Sequence, residues 1–392
     1  MELFGLMDQG GRKFASESRK TAKYQRFGLT LVVNHACNLR CSYCYTGAKF
    51  NRPMPDAVGD RAIERAITSV EAGGELELGF FGGGPMLEAD RIERWIGRAR
   101  ERCRAAGRGL TFGLTTNGTL SGEIAWRVMT DPGMELAISC DGRPETHDRH
   151  RVFPDGRGSS THVMETMRRL RIAGKPFRTV LVVRPDTVTG LPEHLSWLRD
   201  IGVEMVDLSL DLWTDWGAQD LENLRQAIRD SIRDWRGRCH GFGVNWFNEK
   251  LGRLAGARVS KETARCGFGA GEIAVAPSGR LYPCERLVGD DTANSPVRLP
   301  GTALEGSDFL SIRTFPGRSE AACSGCAIES ECSTTCRCSN YVRTGDVSRP
   351  DGLLCFLDRT LFRETLAALA DGLPRSSENP QTSEIHEERS QQ

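Results

Sequence analysis

Three cysteines lie close together in one short stretch of the sequence and could hold a metal centre. Cys37, Cys41 and Cys44 have the spacing Cys-x3-Cys-x2-Cys and directly follow the apolar run of residues 29–33. Thiolates are preferred ligands of soft metals and of iron–sulfur clusters. Structural zinc takes four ligands, and no fourth Cys or His follows closely here. The spacing therefore favours a cubane cluster with one iron open to an exogenous ligand, over a zinc site or an unliganded run of loop cysteines.

An aromatic residue, Tyr43, stands directly before the last of these cysteines. With it the stretch resembles the signature of the radical S-adenosylmethionine (radical SAM) enzymes. The resemblance implies that the three cysteines bind a [4Fe-4S] cluster whose free iron chelates the amino and carboxylate groups of S-adenosylmethionine, with Tyr43 among the cofactor-binding residues. It also implies that one electron from the cluster cleaves the sulfonium and releases a 5′-deoxyadenosyl radical.

The composition of the chain limits its classes of partner. Its 392 residues are enough for two or three domains, and 52 basic residues balance 52 acidic ones. The neutral net charge argues against nucleic acid as a partner. No apolar run of about 18 residues and no signal peptide is present, which predicts a cytoplasmic protein without a membrane partner. In that compartment fourteen cysteines indicate metal ligation rather than disulfides.

Strand-like runs alternate with segments of helical periodicity between residues 28 and 236. The runs are residues 27–33, 75–81, 110–116, 134–140, 177–183 and 203–210. Six successive βα units predict an α/β fold with a parallel sheet, which could be doubly wound or barrel-like. The family resemblance implies the second form, a partial (βα)6 TIM-like barrel with its site at the carboxyl ends of the strands.

Further stretches at predicted strand ends match the same family. A glycine-rich segment resembles the Gly-Gly-Glu-Pro element that binds the methionyl amino group, with glycine in place of the glutamate; its residues are Gly82, Gly83, Gly84 and Pro85. Glycines there let backbone approach a ligand closely. Residues 139–159 resemble a string found in the peptide- and protein-modifying branch. The resemblance implies cofactor contacts for Ser139 and for Arg151, the latter as a guanidinium–carboxylate pair. Asn117 is also counted among the cofactor-binding residues, and as turn residues Asn117 and Asp141 are expected to brace their loops.

A second group of cysteines follows in the last third of the chain. The order Cys266-x12-Gly279-x4-Cys284, then Cys323-x2-Cys326-x5-Cys332-x3-Cys336, then Cys355, resembles the SPASM extension of radical SAM maturases. By that resemblance two auxiliary [4Fe-4S] clusters are expected. The outer one takes Cys323, Cys326, Cys332 and Cys355, and the inner one takes Cys266, Cys284 and Cys336. The fourth inner ligand stays open between Cys239, Cys338 and an iron left for substrate. Two zinc sites built from the same thiolates are the alternative.

These patterns predict five segments. They are a lead-in (1–27), the partial barrel (28–236), a bridge (237–262), a small SPASM domain (263–360), and a C-terminal helix with a disordered tail (361–392).

The function predicted from the sequence is radical modification of a ribosomally made precursor peptide, with three [4Fe-4S] clusters and S-adenosylmethionine as cofactors. The cofactors carry the hydrogen abstraction, and the product is a thioether, carbon–carbon or carbon–oxygen cross-link. The implied partners are the peptide, a flavodoxin- or ferredoxin-type electron donor and a separate leader-recognition protein.

Two alternatives are kept. One is a sulfatase-type maturase that forms formylglycine, in which Glu285, directly after Cys284, is the catalytic base. The other is a non-catalytic iron–sulfur electron carrier or redox scaffold.

Overall fold

A mostly parallel sheet organises the fold. The computed structural model describes residues 22–237, 241–255, 268–312, 323–332 and 336–370. The strands are β1 (Tyr24–Val32), β2 (Val70–Phe81), β3 (Gly109–Thr116), β4 (Met134–Ser139), β5 (Arg178–Val183), β6 (Met205–Leu210), β7 (Gly243–Val244), β8 (Glu272–Val275) and β9 (Leu281–Tyr282). Their order is β7-β6-β5-β4-β3-β2-β1-β8-β9, and only β8 and β9 pair antiparallel. The α/β class predicted from the sequence is confirmed.

Amphipathic helices connect the strands. Those of the described residues are α1 (Asp56–Ser69), α2 (Ala89–Ala105), α3 (Glu123–Thr130), α4 (Pro144–His150), α5 (Ser160–Ile172), α6 (Leu191–Asp200), α7 (Ala218–Gly237), α8 (Asn245–Leu254), α9 (Arg337–Thr344) and α10 (Gly352–Ala370). In α2, the side chains of Ile92, Trp95, Ile96, Ala99 and Cys103 are buried, which is the apolar face that their helical spacing predicts. Among the described residues, no helix is long and apolar enough to cross a bilayer.

Elements of the described structure cross two of the predicted segment boundaries. β1 begins at Tyr24, so the lead-in does not extend to residue 27. The bridge contains β7 and α8. A two-residue strand such as β7 is too short to produce a periodic sequence signal. The boundary at residue 360 falls inside α10, which runs on to Ala370. Residues 1–21 and the tail from 371 lie outside the described residues.

The cysteine-rich C-terminal part is joined to the main sheet rather than standing apart from it. β8 pairs parallel with β1, from Gly28 opposite Glu272 to Leu31 opposite Val275. α10 packs against α7 and α8. A buried ion pair between Lys250 and Asp358, 2.6 Å long, holds α8 to α10. The strand that leads into the first cysteine loop therefore also carries the C-terminal part.

Candidate active site

The first cysteine loop begins where β1 ends, at the carboxyl edge of the sheet. Asn34 fixes its entry: the Oδ1 atom accepts hydrogen bonds from the backbone of Ala36 (2.9 Å) and Arg52 (3.0 Å), and Nδ2 donates to Glu88 (2.7 Å). The side chain of Asn34 is buried. A single asparagine carries no spacing signal, and the sequence analysis did not single it out, although an Asn just after a strand is a common turn former.

The glycine-rich segment after β2 packs directly against this loop. The N–H groups of Gly83 and Gly84 donate to the carbonyls of Asn34 (2.9 Å) and Ala36 (2.8 Å). A Cβ on Gly83 would lie 2.5 Å from the carbonyl oxygen of His35, and one on Gly84 would lie 3.5 Å from the Cys37 sulfur. Glycine is needed here because the backbone of the cysteine loop is so close, a reason the sequence analysis did not give. Pro85, which is buried, starts the single 3₁₀ turn that follows.

Polar groups point at the sulfur atoms of the loop. The backbone of Leu39 donates to the sulfur of Cys37 at 3.4 Å, and the side chain of Asn117 reaches the same atom at 3.7 Å. The ammonium of Lys49 lies 3.1 Å from the sulfur of Cys44. Donors of this kind stabilise thiolate ligands of iron–sulfur clusters. The three thiols and the hydrogen-bond donors around them fit an iron–sulfur cluster.

The three thiols also influence one another. Burial raises the pKa of Cys41 to about 11, and repulsion from Cys44 and Cys37 adds to this effect. Burial also opposes ionisation of Cys44, but the hydroxyl of Thr46 and the charge of Lys49 outweigh it and lower the pKa of that thiol.

Among the described residues, no three His, Cys, Asp or Glu side chains are arranged to hold a single metal ion.

A buried charged network supports Tyr43. The hydroxyl of Tyr43 donates to Asp141, and Arg151 donates to the same carboxylate through Nε (2.9 Å) and Nη2 (3.0 Å). Burial disfavours the charged carboxylate, but the Arg151 guanidinium outweighs this and lowers the pKa of Asp141. In the described structure the guanidinium fork of Arg151 holds Asp141 in a bidentate pair. Its pairing with the carboxylate of S-adenosylmethionine stays a prediction.

The remaining predicted cofactor contacts lie on the same edge. Asn117 donates to the side chain of Asn38 (3.0 Å) and accepts a hydrogen bond from the backbone of Thr119 (3.0 Å), so it braces the cysteine loop against the end of β3. Ser139 is the last residue of β4 and is partly exposed. The structure thus brings all the predicted cofactor residues to one edge of the sheet.

The cysteine-rich part gathers its described thiols into two groups. In the inner group, the sulfur atoms of Cys336 and Cys338 are 3.2 Å apart, and the thiol of Cys284 is hydrogen-bonded to Cys338. Cys284 and Cys338 are buried in one apolar cluster with Phe268 and Val347. Cys338 is therefore not an isolated core thiol. Cys266 and Cys239, predicted as inner ligands, lie outside the described residues.

The outer group forms around one arginine. The Nη2 atom of Arg359 lies 3.6 Å from the sulfur of Cys326, and its charge also acts on Cys355 and Cys332. Cys355 and Cys323 interact electrostatically as well. The four thiols predicted for the outer cluster are therefore near one another.

Glu285 lies between the inner thiols and the first loop. Its carboxylate accepts a hydrogen bond from the Cys284 thiol at 3.6 Å, and it is partly exposed. Tyr45, next to Cys44, is close enough to Glu285 and Arg286 for their charges to act on its hydroxyl. Nearby, the backbone of Ala48 donates to Asp290 at 3.3 Å. The first loop and the inner thiols are thus adjacent.

Comparison with known proteins agrees with this arrangement. Residues 31–198 match the Radical SAM superfamily. The chain is 25% identical over 325 residues to the serine-type anaerobic sulfatase-maturating enzyme of Klebsiella aerogenes, covering 78% of each chain. It is 24% identical over 262 residues to the PqqA peptide cyclase of Gluconobacter oxydans, covering 65% of this chain and 69% of that one.

A solved structure shares the fold. The protein described as native anSMEcpe with bound AdoMet superposes with a TM-score of 0.72 at 18% identity, covering 88% of this chain and 98% of that one. At this level of identity the likeness concerns the fold alone. It agrees with the TIM-like fold expected from the sequence.

Proposed function

The chain is an enzyme of the radical SAM superfamily, and on that premise we propose that it is a peptide maturase. It takes a hydrogen atom from a ribosomally made precursor peptide and forms a side-chain cross-link, which is a thioether, a carbon–carbon bond or a carbon–oxygen bond. The observation that carries the proposal is the adjacency of the first cysteine loop to the inner thiols, with Tyr45 and Glu285 between them. The relatives named for work on a sulfatase and on the PqqA peptide support the substrate class.

The residues of the first loop have assigned roles. Cys37, Cys41 and Cys44 hold the [4Fe-4S] cluster that the superfamily implies, and S-adenosylmethionine binds beside it. This pair of cofactors supplies, when bound, a primary carbon radical able to abstract hydrogen from an unactivated C–H bond.

The surrounding residues orient the first cysteine loop and shield it from water. Gly83 and Gly84 fix the loop backbone through their N–H groups, and Asn117 braces it. The buried network of Tyr43, Asp141 and Arg151 holds the loop side chains in place, and the charges of Asp141 and Arg151 are paired with each other. Rigid support of this kind holds reacting atoms in position and limits the entry of water.

We assign two further [4Fe-4S] clusters to the cysteine-rich part, which gives three in all. Cys323, Cys326, Cys332 and Cys355 hold the outer one. Cys266, Cys284, Cys336 and Cys338 hold the inner one; the contact between Cys336 and Cys338 supports the choice of Cys338 over Cys239 or an open iron. Clusters held there would supply a route by which the electron released during bond formation reaches an external carrier of flavodoxin or ferredoxin type. A separate protein recognises the leader of the peptide.

A direct test of the main proposal uses co-expression. The chain is produced together with each candidate precursor peptide, taken from any short reading frame beside its gene, and the peptides are analysed by mass spectrometry. We expect a product lighter by two hydrogen atoms whose fragmentation stops between the joined residues. Unchanged peptides, in a preparation that does form 5′-deoxyadenosine, would contradict the cross-linking proposal.

The second candidate is sulfatase maturation, which the position of Glu285 beside Cys284 favours. If Glu285 is the base, Glu285→Gln lowers product formation by roughly 10²- to 10⁴-fold, while 5′-deoxyadenosine formation without peptide stays near the wild-type rate. Glu329→Gln, a carboxylate change near the outer thiols, is the matched control. Incubation with a sulfatase-derived Ser or Cys peptide, followed by a hydrazide reagent for aldehydes, separates the two candidates: an aldehyde identifies formylglycine.

A further inference from the structure

The turn of residues 289–291, in the cysteine-rich part, touches the first cysteine loop. The carboxylate of Asp290 accepts a hydrogen bond from the backbone N–H of Ala48 at 3.3 Å. A Cβ on Gly47 would lie 2.5 Å from the same carboxylate oxygen, and Gly47 has a φ of +73°, a left-handed conformation that glycine adopts without strain. The turn and the loop are therefore in direct contact, shortly after Cys44 in the chain.

Asp291 anchors this turn to the hairpin of β8 and β9. Its side chain is buried, and its carboxylate accepts hydrogen bonds from the hydroxyl (2.7 Å) and the backbone N–H (3.1 Å) of Ser278 and from the hydroxyl of Tyr282 (3.2 Å). The guanidinium of Arg280 lies 3.5 Å from the same carboxylate. Asp291 has a φ of +54°, and a residue other than glycine keeps that conformation only where the surrounding structure holds it. The turn is therefore fixed from the C-terminal side.

The part of the loop that Asp290 contacts brings a cation to a predicted cluster ligand. The ammonium of Lys49 donates to the carbonyl of Gly47 (3.1 Å) and lies 3.1 Å from the sulfur of Cys44. Lys49 directly follows Ala48 in the chain. A lysine side chain is long and flexible, so the backbone at Ala48 sets the direction from which the ammonium reaches the sulfur. A hydrogen bond to a thiolate ligand tunes the metal centre that the ligand holds.

We propose that Asp290 is a positioning residue of the radical site. By accepting the N–H of Ala48, it holds the part of the loop that places the Lys49 ammonium on the Cys44 sulfur, and Asp291 fixes Asp290 from the C-terminal side. The cysteine-rich part thus contributes a residue to the geometry of the first loop. The inference depends on the assignment of Cys44 to the first cluster, and it is independent of which peptide is modified.

The first test measures the hydrogen bond itself, by amide hydrogen–deuterium exchange of the anaerobically reconstituted full chain. Asp290→Ala removes the acceptor, and because Asp290 is exposed this change leaves the core intact. We expect the Ala48 amide, resolved with overlapping peptides, to exchange roughly five-fold faster in Asp290→Ala. In Asp290→Asn it should exchange as in wild type, because the amide oxygen of asparagine still accepts a hydrogen bond.

The second test asks whether the contact acts through Lys49. Lys49→Met, which removes the ammonium, should lower 5′-deoxyadenosine formation under dithionite by roughly ten-fold or more. It should also change the part of the electron paramagnetic resonance spectrum that responds to S-adenosylmethionine. Asp290→Ala should change both in the same direction, with a loss of roughly three- to ten-fold. The double variant should lose no more than Lys49→Met alone, since two changes to one contact are not additive.

Glu165→Ala is the control for both tests and should match wild type, because Glu165 is an exposed carboxylate on α5 that pairs with Arg168 at 2.8 Å. Equal exchange at Ala48 in Asp290→Ala and wild type would overturn the inference, because the bond would then not hold the loop. Additive losses in the double variant, or a loss that Asp290→Asn does not restore, would overturn it as well. These results would leave the peptide-maturase proposal intact, because no peptide takes part in either test.

Discussion

The first cysteine loop and the cysteine-rich part bring their thiols together in different ways. In the first loop, the three cysteines lie within eight residues after one strand, and the loop is fixed by backbone hydrogen bonds to Gly83 and Gly84. In the cysteine-rich part, the inner thiols come from two distant segments, around Cys284 and around Cys336, brought together by packing.

The difference has a chemical consequence. A local loop keeps its geometry as long as the end of the strand is intact, and it can leave one metal position free for a cofactor. A group of thiols assembled from distant segments depends on the tertiary fold around it. Such a group is suited to a metal centre that keeps all its protein ligands while it transfers electrons. Under the proposed function, radical formation is assigned to the first region and electron removal to the second.

The largest difference between the two regions should appear when one cysteine of each is replaced by alanine and 5′-deoxyadenosine formation is measured. Cys41→Ala should abolish 5′-deoxyadenosine formation under dithionite, because the cluster would lose one of its three thiolates. Cys326→Ala should leave this formation within a few-fold of wild type, because the described partners of the Cys326 thiol are Arg359, Ile328 and Glu329 rather than residues of the first loop. Chromatography of the nucleoside measures both, with the buried thiol variant Cys103→Ala as the folding control. Equal losses in both variants would remove the distinction between the regions.

A smaller effect should follow from crowding the backbone that supports the first loop. In Gly83→Ala the new Cβ would lie 2.5 Å from the carbonyl oxygen of His35, and overpacking of this kind costs about 1–3 kcal/mol. We expect S-adenosylmethionine binding to weaken by roughly ten- to a hundred-fold, with the iron of the cysteine-rich part retained. Isothermal titration calorimetry measures the binding. Gly97→Ala, where a Cβ meets nothing within 4 Å, should bind as wild type does.

A third effect is a pH dependence of stability set by His147, which lies in α4 and accepts a hydrogen bond from the backbone of Asp141 in the network that supports the first loop. His147 is fully buried and hydrogen-bonded to Ser159 at 3.0 Å. Burial, assisted by the charge of Arg151, lowers its pKa to about 4 from 6.5. Residues 268–370 contain no histidine.

The direction of this pH dependence follows from whether the folded or the unfolded chain binds a proton at His147. Between pH 6.5 and about 4 the unfolded chain is protonated at His147 and the folded chain is not, so stability falls as the pH decreases, by up to about 3 kcal/mol. Anaerobic urea unfolding across this range checks it. His147→Gln should flatten most of the dependence, leaving smaller contributions from His35 and His194, whose pKa values burial also lowers. The exposed His162→Gln should not change it, and an unchanged profile in His147→Gln would contradict the account.

Local patterns were predictable and distant partners were not. The spacing of Cys37, Cys41 and Cys44 after an apolar run indicated both the loop and its place at a strand end. The pairing of Arg151 with Asp141 was not foreseen, because a guanidinium fork donates to any carboxylate and only the fold shows that Asp141 lies within hydrogen-bonding distance. Asn34 was missed because a single polar residue has no period or spacing to reveal it.

The inner group shows the same limit. The sequence kept Cys338 as one of several options, since spacing along the chain does not give the distance from Cys284. The fold brings the two thiols together. Whether Cys266 joins them stays a prediction.

The measurement that tests the central claim most directly is the metal content of the anaerobically reconstituted wild-type chain, together with its release of 5′-deoxyadenosine under dithionite. The account predicts about twelve irons per chain, four for each of three cubanes, little zinc and steady release of the nucleoside. Zinc in place of iron, with no nucleoside released, would contradict it and leave a metal-stabilised scaffold.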